Sequence, residues 1–515
     1  MWSSGPPDTR SEPSHALWSL REDVTVEESP SGEGLVLHNR WGETVLERPE
    51  PVVREALRRM SFGPVHLENA LRAGRGGSGR QTLLMRALSE LQPLIVRSLD
   101  LDGGQPLLSA VPLSPHAVFE PVALPADRLL KLSRFAVLRS DGRGFVVESP
   151  LALHRVELHR AEALPLLALL ASATRPEDAA KAWGQARELA HEALSYLLAA
   201  GMLVQSDAED GVFPPEFAED TDPALAGWTP NALMFHTRSR LGRHDDVIGA
   251  IGEPNADQLP EPAVRLSGRN ETIALHRPEW DDVVPEDPPL SVALERRHST
   301  RSYQQAPLTA REIGELLYRC LRVRALRTGA PVGLGGPART LSDRPYPSAG
   351  SAYELEFYLT VVACTGIPRG VYRYDPLGHR LERIGSEPAE ELLTCGRFAI
   401  DALSSPPLLI TMTARFGRVL PEYGGLGYAL ILKHVGVVMQ TLYLVSEAMG
   451  LASCAVATGD VEVAARVFAT DWRAESSVGE MAVGRRATSE ASRADQPWSP
   501  ANGADWPERA HRHGA

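Results

Sequence analysis

The alternation of apolar and polar positions changes period several times along the chain, and those changes mark its elements. In the first 210 residues "RWGETVLER" (residues 40–48) and "ALHRVELHR" (152–160) alternate with the period of a half-buried strand. Each leads into a segment of helical spacing, "PVVREALRRM" and "ALPLLALLAS". Each then continues through a second short helix to a third, "RQTLLMRALSELQPLIV" and "ARELAHEALSYLLAAGMLV". Farther along, "APLTAREIGELLY" opens a helix at Thr309, with Glu312 three residues on completing a capping box. "LEFYLTVVAC" (355–364) and "PPLLITMTA" (406–414) read as buried strands, and "ESSVGEMAVG" (475–484) supplies another strand. The longest apolar run, residues 428–450, is nearly long enough to span a bilayer. Lys433, His434, Gln440 and Glu447 would be expensive in lipid, so the pattern predicts a buried helix.

These elements predict an α+β protein, with a central sheet covered by helices over residues 290–486. The repeated strand-and-helix pattern ahead of it reads as a duplicated domain rather than a solenoid. Its third helices each end in a short apolar segment like the wing of a winged helix, which predicts winged-helix-like domains at 16–110 and 130–206. Residues 207–289, with acidic, proline-bearing breaks at 206–227 and 277–290, are expected as linker and bridging segment. Residues 1–15 and 487–515 lack periodicity and are expected to be disordered.

Composition narrows the function. A chain of 515 residues is too long for one core. The net charge of −13 argues against a nucleic-acid binder. Glu90, Glu188 and Glu192 on the third helices point the same way, because phosphate recognition wants the opposite balance. The remaining uses of such modules are adding a peptide strand at a sheet edge, or a purely structural role. Four cysteines without a CxxC exclude a zinc ribbon and a disulfide framework and fit a reducing cytoplasm. No metal-ligand pattern occurs. The first residues lack a basic region followed by an apolar one, so neither a signal peptide nor a membrane location is expected.

The chemistry is concentrated in three later stretches. "RRHSTRSY" (296–303) sets three arginines and a histidine around a Ser-Thr pair. Taken alone it is compatible with a solvated loop, or with a phosphate socket in which Arg297 and Arg301 fork onto oxygens while Ser299 and His298 donate. "RPYPSAGSAYELEFYLTV" (344–361) is a Pro/Gly turn feeding a strand. In the long helix Lys433, Gln440 and Glu447 recur every seven residues and share a face. Lys433 there is either a snorkelling surface lysine or, if desolvated, a base of lowered pKa. Gly450 is placed to end that helix. Cys454 lacks a His/Asp pair to activate it and reads as a packed thiol.

Together these stretches resemble the FMN-dependent nitroreductase superfamily, and "YPSAGSAYELE" with "GYALILKHVG" resembles its SagB/McbC-type, cyanobactin-oxidase-like branch of azoline oxidases. The segment "GVYRYDPLGHRLERI" (370–384) is similar to the strand-turn-strand of that branch, and "GWTPNALMFHTRSR" to its bridging segment. The resemblance implies FMN as cofactor. It assigns Arg297, His298, Ser299 and Arg301 to the phosphate and ring edge, and Pro347, Ser348, Ala349 and Gly350 to the ring. Cys454 and Ala455 would bring backbone N–H groups to the flavin, and Arg485 or Arg486 would add a phosphate contact. In better-studied relatives a Lys-Tyr pair is implicated in catalysis. Here the pair is Lys433-His434, leaving Tyr423, Tyr428 or His434 to take the tyrosine's place. The implied activity is oxidation of thiazoline or oxazoline rings in a ribosomally made precursor peptide. A base removes the ring proton and a hydride passes to flavin, in a homodimer that meets the peptide and a cyclodehydratase. An NAD(P)H-dependent nitro- or quinone reductase and a non-catalytic peptide-binding scaffold are the alternatives.

Overall fold

The computed structural model describes residues 15–72, 79–103, 105–207, 214–246, 261–265, 268, 270–304, 306–329, 339–399, 405–486 and 509. The expectations for residues 1–14 and for the tail, Arg509 excepted, lie outside them. The chain divides into two compact units, Met1–Asp246 and Val247–Ala515.

In the first unit the helices of the repeat form where the pattern places them. Pro51–Met60, Leu67–Arg72 and Gly79–Glu90 make one set, and Leu164–Leu169, Pro176–Trp183 and Arg187–Ala199 the other. The strands do not repeat in the same way. Gly42–Leu46 is largely exposed in a three-stranded sheet, while His154–Leu158 lies inside a six-stranded one. That sheet runs in the order Ala16–Leu20, Ile95–Leu99, Leu108–Pro112, His154–Leu158, Phe145–Glu148, Val137–Ser140, so both copies contribute to it. The two third helices also end differently. The first runs on into Ile95–Leu99 within the six-stranded sheet, the second into Leu203–Gln205, which pairs only with Leu130–Leu132. Described residues to Asp246 belong to this unit, because Asp245 is held by Arg21 and Arg155 at 3.1 and 2.9 Å.

The second unit carries a seven-stranded sheet ordered Thr272–Ala274, Arg380–Gly385, Gly370–Asp375, Leu355–Val361, Leu408–Arg415, Glu475–Arg485, Leu451–Val456. All of its ladders are antiparallel. The central strands Leu355–Val361 and Leu408–Arg415 are buried at every residue, and the charged Glu356 and Arg415 among them pair with each other at 3.0 Å. The described residues of 261–274, expected as linker, are integral to this unit. Thr272–Ala274 is an edge strand, and the carbonyls of Glu261, Pro262 and Ala263 accept hydrogen bonds from the buried Arg418, Arg415 and Arg344. Short polar segments that serve as acceptors leave no apolar signature to read.

On one face of the sheet lie two helices. Ala310–Leu321 begins at the expected capping box: Glu312 N–H donates to Thr309 Oγ1 at 3.2 Å and Thr309 N–H to Glu312 Oε2 at 2.7 Å. Gly427–Ala448, called the central helix below, buries Ile431, Val435, Val438 and Leu442 in the main core. Residues Leu420–Ala448 have the length and apolarity to cross a membrane, and much of that apolar surface is covered here by the unit's own sheet and helices. Gly450, at φ +66°, ends the helix as expected. The segment after it is a strand, Leu451–Val456, rather than a loop.

Candidate active site

The residues singled out in the sequence gather at two places along the central helix, one towards each end. At the C-terminal end "RRHSTRSY" docks against the edge of the sheet. Thr300 N–H donates to Ser453 O at 2.9 Å, and Gln304 N–H to Arg485 O at 3.0 Å. These bonds fix the backbone of 299–304 beside Leu451–Val456 and the last strand. Tyr443 of the central helix anchors the group. Its hydroxyl accepts from Ala455 N–H at 2.7 Å and lies 2.8 Å from Ser299 Oγ. The Arg297 guanidinium lies over its ring, 5.2 Å from the centroid. Burial raises the Tyr443 phenol above its ordinary value, which keeps the hydroxyl protonated.

Four arginines were expected near a phosphate here, and they are held in different ways. Arg485 pairs with Glu312 at 2.7 Å and donates to Pro307 O at 3.1 Å. Arg486 pairs with Glu447 at 2.5 Å. Arg301 Nη1 donates to Ser299 O at 3.3 Å. Arg297 makes no ion pair among the described residues, and its fork suits an anion. His298 is exposed and turns back on its own loop, Nδ1 lying 2.9 Å from Arg296 O. Cys454 is the packed thiol its surroundings suggested, buried with Sγ 3.6 Å from Ala455 O. Guanidinium and hydroxyl donors from neighbouring residues, with Arg297 lacking a carboxylate partner among the described residues, make this end fit a phosphate-bearing cofactor.

About 13 Å back along the helix, His434 faces the turn 347–350. Ala349 N–H donates to His434 Nε2 at 2.9 Å, and His434 Nδ1 lies 2.7 Å from Glu354 Oε1. Pro347 and Gly350 are exposed, while Ser348 and Ala349 are half-buried. Beneath the turn sits Arg344, 1% exposed, with Nη1 donating to Tyr346 Oη at 3.4 Å. Burial pushes the Tyr346 phenol up to about 12.

Lys433 differs from the expectation of a desolvated base. It is exposed, next to the exposed Leu432 and Gly436, because one step along a helix turns the side chain by about 100° away from the core-facing His434. Tyr428 is 42% exposed, its ring 6.2 Å from that of Phe416, and Tyr423 ends the short helix Leu420–Tyr423. Within the described chain the structure joins Arg297, Ser299, Arg301 and Ala455 through Tyr443, and Ser348, Ala349 and His434 through Glu354. Tyr443 and Glu354 were not found by sequence reasoning. For Glu354 there was a signal, since it is a carboxylate at the mouth of an apolar strand. Tyr443 looks like any core aromatic of a buried helix.

Residues 294–485 match the Nitroreductase family, and residues 130–245 match the family Cyanobactin oxidase ThcOx. A protein of Methanocaldococcus jannaschii named as a nitroreductase is 28% identical over 186 residues, covering 36% of this chain and 84% of that one. Among solved structures, a nitroreductase of Ralstonia eutropha is 25% identical and covers 46% of this chain and 98% of its own, with a TM-score of 0.33. The Escherichia coli microcin synthetase McbBCD complex, solved with truncated pro-MccB17, is 21% identical, covering 38% and 73%, with a TM-score of 0.31. The second unit thus contains a nitroreductase-like domain, and the chain ahead of it is similar over residues 130–245 to the cyanobactin oxidase family.

Proposed function

We propose that the protein is an FMN-dependent azoline oxidase, turning thiazoline or oxazoline rings of a ribosomally made peptide into thiazole or oxazole. The observation that carries this reading is the pairing of a segment matching the cyanobactin oxidase family with a nitroreductase-like domain. A reductase of small molecules has no need of the first unit, which in this reading holds the precursor peptide or docks a cyclodehydratase. FMN, held by the residues named below, would supply the acceptor for two electrons, with dioxygen as the final oxidant.

The chain's own residues bind, orient and move one proton. Arg297 and Arg301 hold the phosphate, with Ser299 fixed by Tyr443 between them. The turn 347–350 forms a wall for the ring. The Lys433 amine takes the proton from the azoline Cα, or stabilises the charge as it leaves. Its exposure in the single chain fits an active dimer. A second copy laid over Leu432, Lys433, Gly436 and Gln440 would exclude water from the amine and bring it into an enclosed site. The protein works in the cytoplasm.

The test is turnover of an azoline-bearing peptide by purified protein, followed as a mass loss of two hydrogens per ring. Lys433→Ala should keep bound FMN and lose about 10²-fold in rate; unchanged turnover removes Lys433 from the mechanism. Rapid, saturable reduction of the bound flavin by NAD(P)H, without azoline oxidation, would replace this reading with a reductase.

A further inference from the structure

Lys433 and His434 are neighbours in sequence, yet the structure gives them unlike surroundings, and the difference assigns His434 a role. A backbone N–H can only donate. The bond from Ala349 N–H at 2.9 Å therefore requires an unprotonated His434 Nε2, which puts the ring proton on Nδ1. That proton points at Glu354 Oε1, 2.7 Å away on a carboxylate with no exposed surface. Both ring nitrogens are engaged, so the imidazole has no free lone pair for a substrate proton. The circuit then closes on the turn itself. Ser348 Oγ donates to Glu354 Oε2 at 3.4 Å and accepts from Tyr353 N–H at 3.0 Å.

Backbone conformation in this segment calls for such a restraint. Gly350, Ser351 and Tyr353 have φ of +56°, +53° and +45°. Glycine adopts this left-handed region freely, but serine and tyrosine hold it only where their surroundings impose it. Restraint comes from two sides. The His434–Glu354 pair grips one end, and Arg418 grips the other, donating from Nε and Nη2 to Ala352 O at 2.9 and 2.6 Å.

We propose that His434 is a positioning residue rather than a proton carrier: with Glu354 it holds the 347–350 turn, and the strained Ser351 and Tyr353 that follow it, in a conformation that exists before any cofactor arrives. The functional part of this role, a preformed wall for the flavin, rests on the oxidase reading above. The structural part does not.

The test uses the full-length protein. Hydrogen exchange of the segment 346–353 is measured by mass spectrometry without added flavin, and FMN affinity is measured separately by titration. His434→Ala should speed exchange at Ala349 by at least about 10-fold and weaken FMN binding by a similar factor. His434→Gln, whose amide can accept from Ala349 while donating to Glu354, should restore most of both. Unaltered exchange in His434→Ala overturns the proposal. So does a Gln variant in which exchange is restored but FMN affinity stays as poor as in the Ala variant. Loss of the oxidase reading would look different: the wild-type chain would leave azoline-bearing peptides unoxidised, with or without bound FMN, while exchange at Ala349 would still respond to His434.

Discussion

The two ends of the candidate site are built on opposite plans. Around the turn 347–354 the partners His434, Glu354, Arg344 and Arg418 are all buried side chains of the same chain. Around 297–301 the backbone is docked, but His298 is exposed and Arg297 makes no ion pair among the described residues. Folding alone completes the first end, while the second presents charge that a ligand would complete. A site of this design sets its geometry at the wall and keeps its electrostatics for the anion, so the same type of substitution should act differently at the two ends.

The largest expected effect is at the open end. Replacing Arg297 and Arg301 together with alanine should weaken FMN retention by about 10³-fold, with charge-assisted bonds at about 2 kcal/mol each. Thermal stability should barely change. Full flavin occupancy in the double variant, read from absorbance, would break the comparison by showing that the phosphate lies elsewhere.

Next comes a pH effect near the same edge of the sheet, on its other face. Glu480 lies opposite Val456, one residue beyond the Ala455 that binds Tyr443. It is 3% exposed and its Oε2 has no hydrogen-bond partner among the described residues. Burial pushes its carboxyl from 4.5 up to about 7. A raised carboxyl keeps its proton in the folded state after the unfolded chain has lost it. Its contribution is therefore full below pH 4.5 and declines as pH rises to about 7, by on the order of 3 kcal/mol at most. Glu480→Gln should flatten that slope in denaturant titrations between these pH values. An unchanged slope would show that Glu480 finds a partner in solution.

At the closed end, Arg418→Met should lower stability by about 2 kcal/mol, since it strips the Ala352 carbonyl of two charged donors. Equilibrium unfolding checks the value. A variant that loses flavin without losing stability would put the closed end on the same plan as the open one. The smallest effect sharpens the contrast from outside the site: Thr309→Ala removes the capping box beside Arg485 and should cost about 1 kcal/mol in the same assay, with little change in flavin affinity.

Much of the second unit was legible in the sequence because its signals are local. The capping box at Thr309, the apolar strands 355–361 and 408–415 and the Gly450 helix end each depend on a few adjacent residues, and each forms where expected. The first unit was harder. Its helices repeat, but the strand at 42–46 is exposed in a small sheet while that at 154–158 is buried in a large one. Alternation predicts a strand without saying which neighbour it will take. In the candidate site the sequence pointed to Lys433 and His434 as a pair of like function. The helix turns one out to solvent and the other into the core, and periodicity alone did not separate them.

The sequence by itself determined the elements and the apolar cores they enclose, because helix and strand period and turn residues are properties of short segments, while the class of chemistry came from the family resemblance of its motifs. Tertiary structure decided which residues act together. Ser299 meets Tyr443 across 144 residues, Ala349 meets His434 across 85, and Glu354 meets His434 across 80. Such pairs depend on how strands and helices stack, and stacking is settled by the burial of the whole unit rather than by any one stretch of it.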